Sequence, residues 1–186
     1  MPTRSSIYRH RTALKVVVLL LALLATMSVR QPDKLHTPQF WAEDGPVFYL
    51  DAENLGAASI VRPYNGYWHL YPRTVALIGT KLPVRHLPRL YVTAAMVVTV
   101  CALLALVSAR LSERAIARAG MVAAVLLVPF SGELWLTLTN MQWFGGLLLV
   151  ALLAAPAPAT ARGAAAWSVG GIVIGLSGPF ALLLSP

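Results

Sequence analysis

The sequence is short of sulfur and of charge, above all of negative charge. Its one cysteine, Cys101, lies inside an apolar run, so it has no partner for a disulfide or a thiolate metal site and is expected to be a small packing residue. Only 12% of the 186 residues are charged, too few to wet the surface of a soluble domain of this length. Seven acids face 15 Lys and Arg, giving a net charge of +8. No basic helix, zinc-ligand spacing or aromatic RNA-binding signature accompanies that excess, so nucleic acid is set aside as a partner. The four histidines, His10, His36, His69 and His86, lack metal-ligand spacing, so no metal is expected. There is no phosphate-cradling glycine loop, no other cofactor motif and no internal repeat of fixed period.

What is abundant is apolar: 58% of residues, gathered in blocks that are hydrophobic all round rather than striped. Lipid is the expected solvent for such blocks. The sequence therefore predicts an all-α membrane protein, a single domain with about five spans. These fall at residues 13–29, 90–107, 116–130, 140–155 and 164–184. The first is near the lower limit of about 17 residues for a spanning helix, with Lys15 placed to snorkel. Arg4, Arg9, Arg11 and Lys15 hold the tail at residues 1–12 in the cytoplasm, and a poor cleavage site argues for an uncleaved span. SARLSERAIAR, with three Arg, and PAPATARG, with Arg162, supply the inner turns. The expected location is the cytoplasmic membrane, with the loop at residues 30–89 outside. The chain ends on a hydrophobic run without a polar tail and reads as the front part of a longer protein.

The outer loop carries five of the seven acids: Asp33, Glu43, Asp44, Asp51 and Glu53. Within it, residues 46–55 are expected to form a short helix, with Pro46 in its first turn, Val47, Leu50 and Leu55 on one face and Gly56 as the stop. Residues 69–82, apolar but carrying Arg73, Lys81 and Pro72, are expected at the interface rather than across it. In FWAEDGP, a carboxylate can serve as general base or simply cap the helix that follows, through Asp44. In IVRPYNGYWHLYPR, Tyr64, Tyr67, Trp68 and Tyr71 offer apolar faces with polar tips suited to sugars, and Arg62 and Arg73 suit a phosphate. An aromatic belt explains the same rings equally well, and Asn65–Gly66 makes a tight turn in either case. In GELWLTLTNMQWFGG, Thr139 and Gln142 have capping-box spacing, Trp135 and Trp143 fit a belt, and the isolated Glu133 points to a cavity or partner. Arg85 and Arg89 stand outside against the positive-inside rule, which a bound lipid phosphate would explain.

The succession WAEDGPVFY, PYNGYWHLYPR, GELWLTLTNMQW and GLSGPF resembles a bacterial group within the C-type integral-membrane glycosyltransferases, from about Phe40 onward. The resemblance implies that a first-outer-loop acid, here Glu43 or Asp44, is catalytic. It also implies a polyprenyl-phosphate-linked sugar as donor and a cell-envelope glycan or lipid as acceptor. Members generally have more spans than this chain provides. Asp44 is preferred as the base because its backbone is fixed beside the Gly45–Pro46 turn, leaving Glu43 to acceptor or ion binding. Arg62, Tyr64, Tyr67, Trp68, His69, Arg73, Arg85, Arg89, Glu133, Asn140 and Gln142 are the expected substrate contacts. A lipid-phosphate transporter or flippase subunit and a non-catalytic assembly protein, using small-residue faces such as GGIVIG, are the alternatives.

Overall fold

The computed structural model describes residues 4–108, 110–129 and 132–184. The expected side-chain roles of Arg4, Arg9, Arg11 and Lys15, and the segment ends at Phe130, Ser131 and Pro186, lie outside what it describes. The described residues are helical, with no strand beyond one isolated bridge between Tyr64 and Tyr67.

Helix α1 (Arg4–Arg30) runs for 27 residues without a glycine or proline to break it. Leu19, Leu23 and Met27, four residues apart, form the stripe it buries, while Leu14, Val17, Val18 and Leu21 stay exposed. The stripe packs on α5 (Leu87–Leu106), the central helix, whose buried residues run from Leu87 to Leu106 around most of its circumference. In that apolar setting the Thr99 hydroxyl satisfies itself by donating to the Ala95 carbonyl at 3.0 Å. Cys101 departs from its expected role, because it faces outward from α5. Helices α6 (Ala115–Leu127), α7 (Gln142–Ala154) and α8 (Ala161–Gly175) follow, and α7 packs between α5 and α8.

Contacts between helix ends sort the connections into two groups. Arg30, ending α1, donates to the carbonyls of Val128 and Leu127 at the end of α6, at 2.8 and 3.3 Å. At that same end the segment after α1 reaches the 139 turn through Asp44 and the α8 terminus through Leu70 and Tyr71. At the opposite end the Arg110 guanidinium lies 4.1 Å from the centre of the Trp167 ring. The chain thus alternates direction from helix to helix.

One described helix is long and apolar enough to cross a membrane: α5 with its preceding turn, Val84–Leu106, 23 residues at mean hydropathy 2.0. Helices α6 and α7 have 13 residues each, about 20 Å at 1.5 Å per residue, against a hydrocarbon core of about 30 Å. The expected fifth span is not continuous. It breaks between α8 and α9 (Phe180–Leu184), where Pro179 cannot continue the hydrogen-bond ladder. There the Leu176 carbonyl and Ser177 Oγ accept from the backbone N–H groups of Leu70 and Tyr71, at 3.1 and 2.8 Å.

Between α1 and α5 the chain forms short elements: α2 (Pro32–His36), a 3₁₀ turn at Ala42–Asp44, a wide π-type turn at Gly45–Tyr49, α3 (Leu50–Leu55) and α4 (Leu70–Gly79). Gly56 ends α3 with φ +55°, the backbone a stop glycine supplies. Of the apolar residues expected on one face, Leu50 and Leu55 are exposed and Val47 is half-buried, while the residues this segment buries are Phe48 and Ala52. The Leu50 N–H bonds back to the Gly45 carbonyl, five residues away, and that extra residue rotates the following side chains by about 100°. At ten residues, about 15 Å, α4 is too short to span, and Pro72, Arg73, Val75, Ala76 and Gly79 are buried in the protein.

The α7–α9 packing depends on a missing side chain. A Cβ on Gly146 would stand 2.8 Å from the Phe180 ring, whereas a Cβ on Gly120 in α6 would meet nothing within 4 Å. Gly146→Ala should lower unfolding stability by about 1–3 kcal/mol through overpacking, and Gly120→Ala should raise it by roughly 0.5–1 kcal/mol through helix propensity. Denaturant unfolding of the two variants checks both signs.

Candidate functional site

The acid pair sits at the helix end where the long segment meets the 139 turn, and its two members part company. Asp44 is 2% exposed. Its Oδ1 accepts from the Thr139 N–H at 3.0 Å and from the Thr139 hydroxyl at 2.7 Å, and its Oδ2 accepts from the Trp41 N–H at 3.1 Å. Burial still pushes its pKa up, against those hydrogen bonds and the nearby Lys34 charge. Both joined segments hold a non-glycine residue at positive φ, Ala42 at 39° and Leu136 at 54°, a conformation that costs about 1–3 kcal/mol each.

This geometry corrects two expectations. Asp44 makes no side-chain cap to the helical turns that follow it; it closes its own turn and holds the distant one. The Thr139–Gln142 capping box does not form, because Thr139 lies in a 3₁₀ turn (Thr139–Met141) and its backbone N–H, which Gln142 would have to accept, goes to Asp44 Oδ1 instead. The preference for Asp44 as the base also meets an obstacle, since both its oxygens are engaged. Glu43, partly exposed, turns the other way, and the Tyr64 hydroxyl reaches its Oε1 at 3.4 Å, a long contact.

Tyr64 leads into a second cluster. Asn65 and Gly66, at φ 52° and 85°, make a two-residue turn, with reciprocal backbone bonds between Tyr64 and Tyr67 at 3.0 and 3.3 Å. The turn brings both tyrosine rings onto His69, with centroids 5.8 and 4.5 Å from the imidazole, and Phe48 completes the enclosure at 5.1 Å. His69 is 1% exposed and neither ring nitrogen makes a well-formed hydrogen bond. Burial lowers its pKa to about 4; the Tyr64 backbone and Glu43 oppose that shift, and the Arg73 charge adds to it.

One turn along α4, Arg73 is also 1% exposed, with its guanidinium 5.4 Å from the Phe48 ring centre. Its Nη1 pairs with Asp51 Oδ2 at 3.0 Å, while its Nε and Nη2 have no acceptor among the described residues. The other oxygen of Asp51 takes the exposed Arg62 at 2.6 Å. Glu43, Arg62, Tyr64, Tyr67, His69 and Arg73 are thus brought together, with Asp51 and Phe48 as members that sequence reasoning passed over. Their signal was weak: an acid and a Phe on a helix whose register the wide turn resets.

The remaining candidates lie apart. Trp68 is exposed and lines a cleft of about 280 Å³ with Pro63 and Tyr67 on one side and Leu176, Gly178 and Ala181 on the other. The Gln142 side chain lies against Gly178, with Oε1 buried and, among the described residues, without a donor. Arg85 is exposed and its Nε donates to His86 Nε2 at 3.1 Å; Arg89 is exposed on the first turn of α5. Among the described residues neither makes a hydrogen bond or ion pair to the cluster. The Glu133 side chain is exposed, and its backbone carbonyl accepts from the Thr137 hydroxyl and from Asn140 Nδ2, so Asn140 serves its own turn. Among the described residues no three His, Cys, Asp or Glu side chains converge as a metal site.

On the other side of Asp44 is a polar cleft of about 350 Å³ lined by Gln31, Asp33, Lys34, Thr37, Gln39 and Trp41, with Phe40 and Gly132 beside them. The Lys34 ammonium stands 4.2 Å from the centre of the Trp41 ring. Burial lowers its pKa against the pull of the Asp44 charge.

Two measurements test these contacts. Thr139→Val removes a hydroxyl donor to a buried carboxylate and should cost about 1.5–3 kcal/mol in denaturant unfolding. His69 is a base whose folded pKa lies below the ordinary 6.5, so its contribution to stability is complete above pH 6.5 and is lost as pH falls towards 4. His69→Gln should therefore flatten the fall in melting temperature over that window; an unchanged slope would assign it to the carboxylates.

Comparison with family models, with curated proteins and with solved structures finds no match.

Proposed function

We propose that this chain is a membrane glycosyltransferase-like protein that moves a sugar from a polyprenyl-phosphate donor to a cell-envelope hydroxyl at the outer face. The observation that carries this reading is a buried cation, Arg73, without enough acceptors among the described residues, beside an exposed second cation and a partly exposed carboxylate. Arg73 is buried with Nε and Nη2 unsatisfied, and buried donors of that kind call for an anionic partner. Arg62, exposed on the same Asp51 carboxylate, offers the entry side. A phosphate ester there would supply the oxygens, and the rings of Tyr64 and Tyr67 would flank its sugar.

In the reaction the acceptor oxygen bonds to the anomeric carbon, and its proton passes to a carboxylate. The bond from that carbon to the phosphate oxygen breaks, and the electron pair stays on the phosphate, where Arg62 and Arg73 meet it. Glu43 is the base in this scheme, because it is partly exposed and linked to Tyr64. Asp44 is the positioning residue that fixes the turn bearing Glu43. The resemblance of the four motifs to C-type glycosyltransferases points the same way.

The membrane reading in its finer form, with five crossings and the amino terminus inside, draws support from the alternating helices and from the apolar side chains that line the outside. These include Leu21, Val97, Ile116, Leu153, Val169 and Leu183, a surface that water would disfavour. Helices as short as α6 and α7 are accommodated by local thinning of the bilayer.

In membrane vesicles supplied with a polyprenyl-phosphate sugar, Glu43→Gln should reduce transfer about a hundredfold to ten-thousandfold. Glu53→Gln, an exposed acid on α3, should leave it intact. Lipid-phosphate translocation without sugar transfer would turn the reading to a transporter, and full activity of Glu43→Gln would remove Glu43 from the chemistry.

A further inference from the structure

We propose that the cleft between α2 and Trp41 is a carbohydrate-binding subsite that holds one sugar ring beside the acid pair. Its lining supplies what a ring of vicinal hydroxyls requires. Gln31 and Gln39 each present a carbonyl acceptor and an NH₂ donor, Asp33 presents two acceptor oxygens, Lys34 presents three N–H donors and the Thr37 hydroxyl does both. Trp41 adds apolar indole surface, suited to the C–H groups of a pyranose, with the Lys34 ammonium over its ring. No charge of one sign dominates, so a neutral polyol fits better than an anion, which Asp33 would repel, or a cation, which Lys34 would repel. At about 350 Å³ the cleft is at the small end of ligand pockets, which run from about 300 to 1,000 Å³, so it takes a single ring rather than a chain.

Its walls are held from two sides. The Trp41 N–H and carbonyl are both bonded to Asp44, at 3.1 and 2.8 Å, so the indole is mounted on the turn that carries the acids. Opposite, Gly132 lies close against the Gln31 amide: a Cβ there would stand 3.1 Å from Oε1, so a side chain would displace the amide by a few tenths of an ångström. The apolar stem of Lys34 is half-buried and its ammonium rests on Trp41, which holds the donor in position without neutralising it. The subsite rests on the proposed sugar transfer only in naming the ring as that of the acceptor; the binding claim stands by itself.

Saturation-transfer difference NMR on the full chain in lipid nanodiscs, with the methyl pyranosides of glucose, mannose and galactose as probes at millimolar concentration, tests it without turnover. At least one probe should receive saturation. Trp41→Ala and Gln39→Leu should each weaken that probe by about fivefold or more, and Trp167→Phe, at the opposite end of the bundle, should not. Gln39 is exposed, so its variant keeps the test decisive if Trp41→Ala fails to fold. No saturation of any probe, or saturation unchanged in Gln39→Leu and in folded Trp41→Ala, overturns the subsite and returns Lys34 and Trp41 to surface packing. Binding with an inactive transfer assay would sink the proposed reaction and leave the subsite, and the reverse result would do the opposite.

Discussion

The Asp44 carboxylate has to be satisfied away from water, and much of the functional end follows from that constraint. A buried carboxylate costs several kcal/mol unless its oxygens are hydrogen-bonded, and the nearby turn supplies one of the three donors. The other two come from Thr139, 95 residues later, so the loop satisfies its acid only when the α6–α7 connection docks on it. Docking places the start of α7 under the loop, and α7 in turn packs on α5 and carries α8 and α9. The two strained residues, Ala42 and Leu136, lie within three residues of the joined atoms, where the rest of the contact can hold them.

The same constraint separates the two acids. In a 3₁₀ turn successive side chains point about 120° apart, so when Asp44 turns inward, Glu43 must turn elsewhere. It turns towards Tyr64 and the enclosed His69. Asp51 performs a related division among the arginines. One oxygen holds the buried Arg73 and the other the exposed Arg62, so a single carboxylate anchors one cation in the core and one at the surface. It leaves part of the Arg73 guanidinium unanswered, and burial makes an unanswered donor expensive.

Local chemistry in the sequence disclosed much of this, and tertiary competition hid the rest. The apolar block at residues 90–107 emerges as α5, Gly56 stops α3, and Asn65–Gly66 turns the chain, because each depends on neighbours within a few residues. The region that gathers Arg62, Tyr64, His69 and Arg73 was visible as a motif for the same reason: a tight turn followed by a short helix keeps those residues close. The face of α3 was not visible, since one extra residue in the turn at 45–49 resets the register without a sequence mark. The allegiance of Thr139 was hidden too: its spacing to Gln142 suits a capping box, but for its backbone N–H a carboxylate is a stronger acceptor than a side-chain amide. The break at residues 176–179 carried its Gly and Pro openly. Where it fell relative to α4 depended on Leu70 and Tyr71, more than 100 residues earlier.

The two ends of the bundle differ in a way that bears on where chemistry can occur. At the end holding Arg110 and Trp167 the connections are short, residues 107–114 and 155–160, and leave little backbone with which to build a cleft. At the other end more than 50 residues of broken helix lie between α1 and α5, with five of the seven acids among them. There the acid pair stands between two surroundings of opposite character. On the Glu43 side are aromatic rings, the exposed Arg62 and the under-satisfied Arg73, where the proposed phosphate and its sugar would sit; on the Asp44 side are amides, a hydroxyl and an indole, where hydroxyl groups would. A transfer between a phosphate-linked sugar and an alcohol needs a base positioned between two such regions. For the proposed transfer, a two-residue acidic turn with one member pinned and the other partly exposed would place a base there with the least backbone.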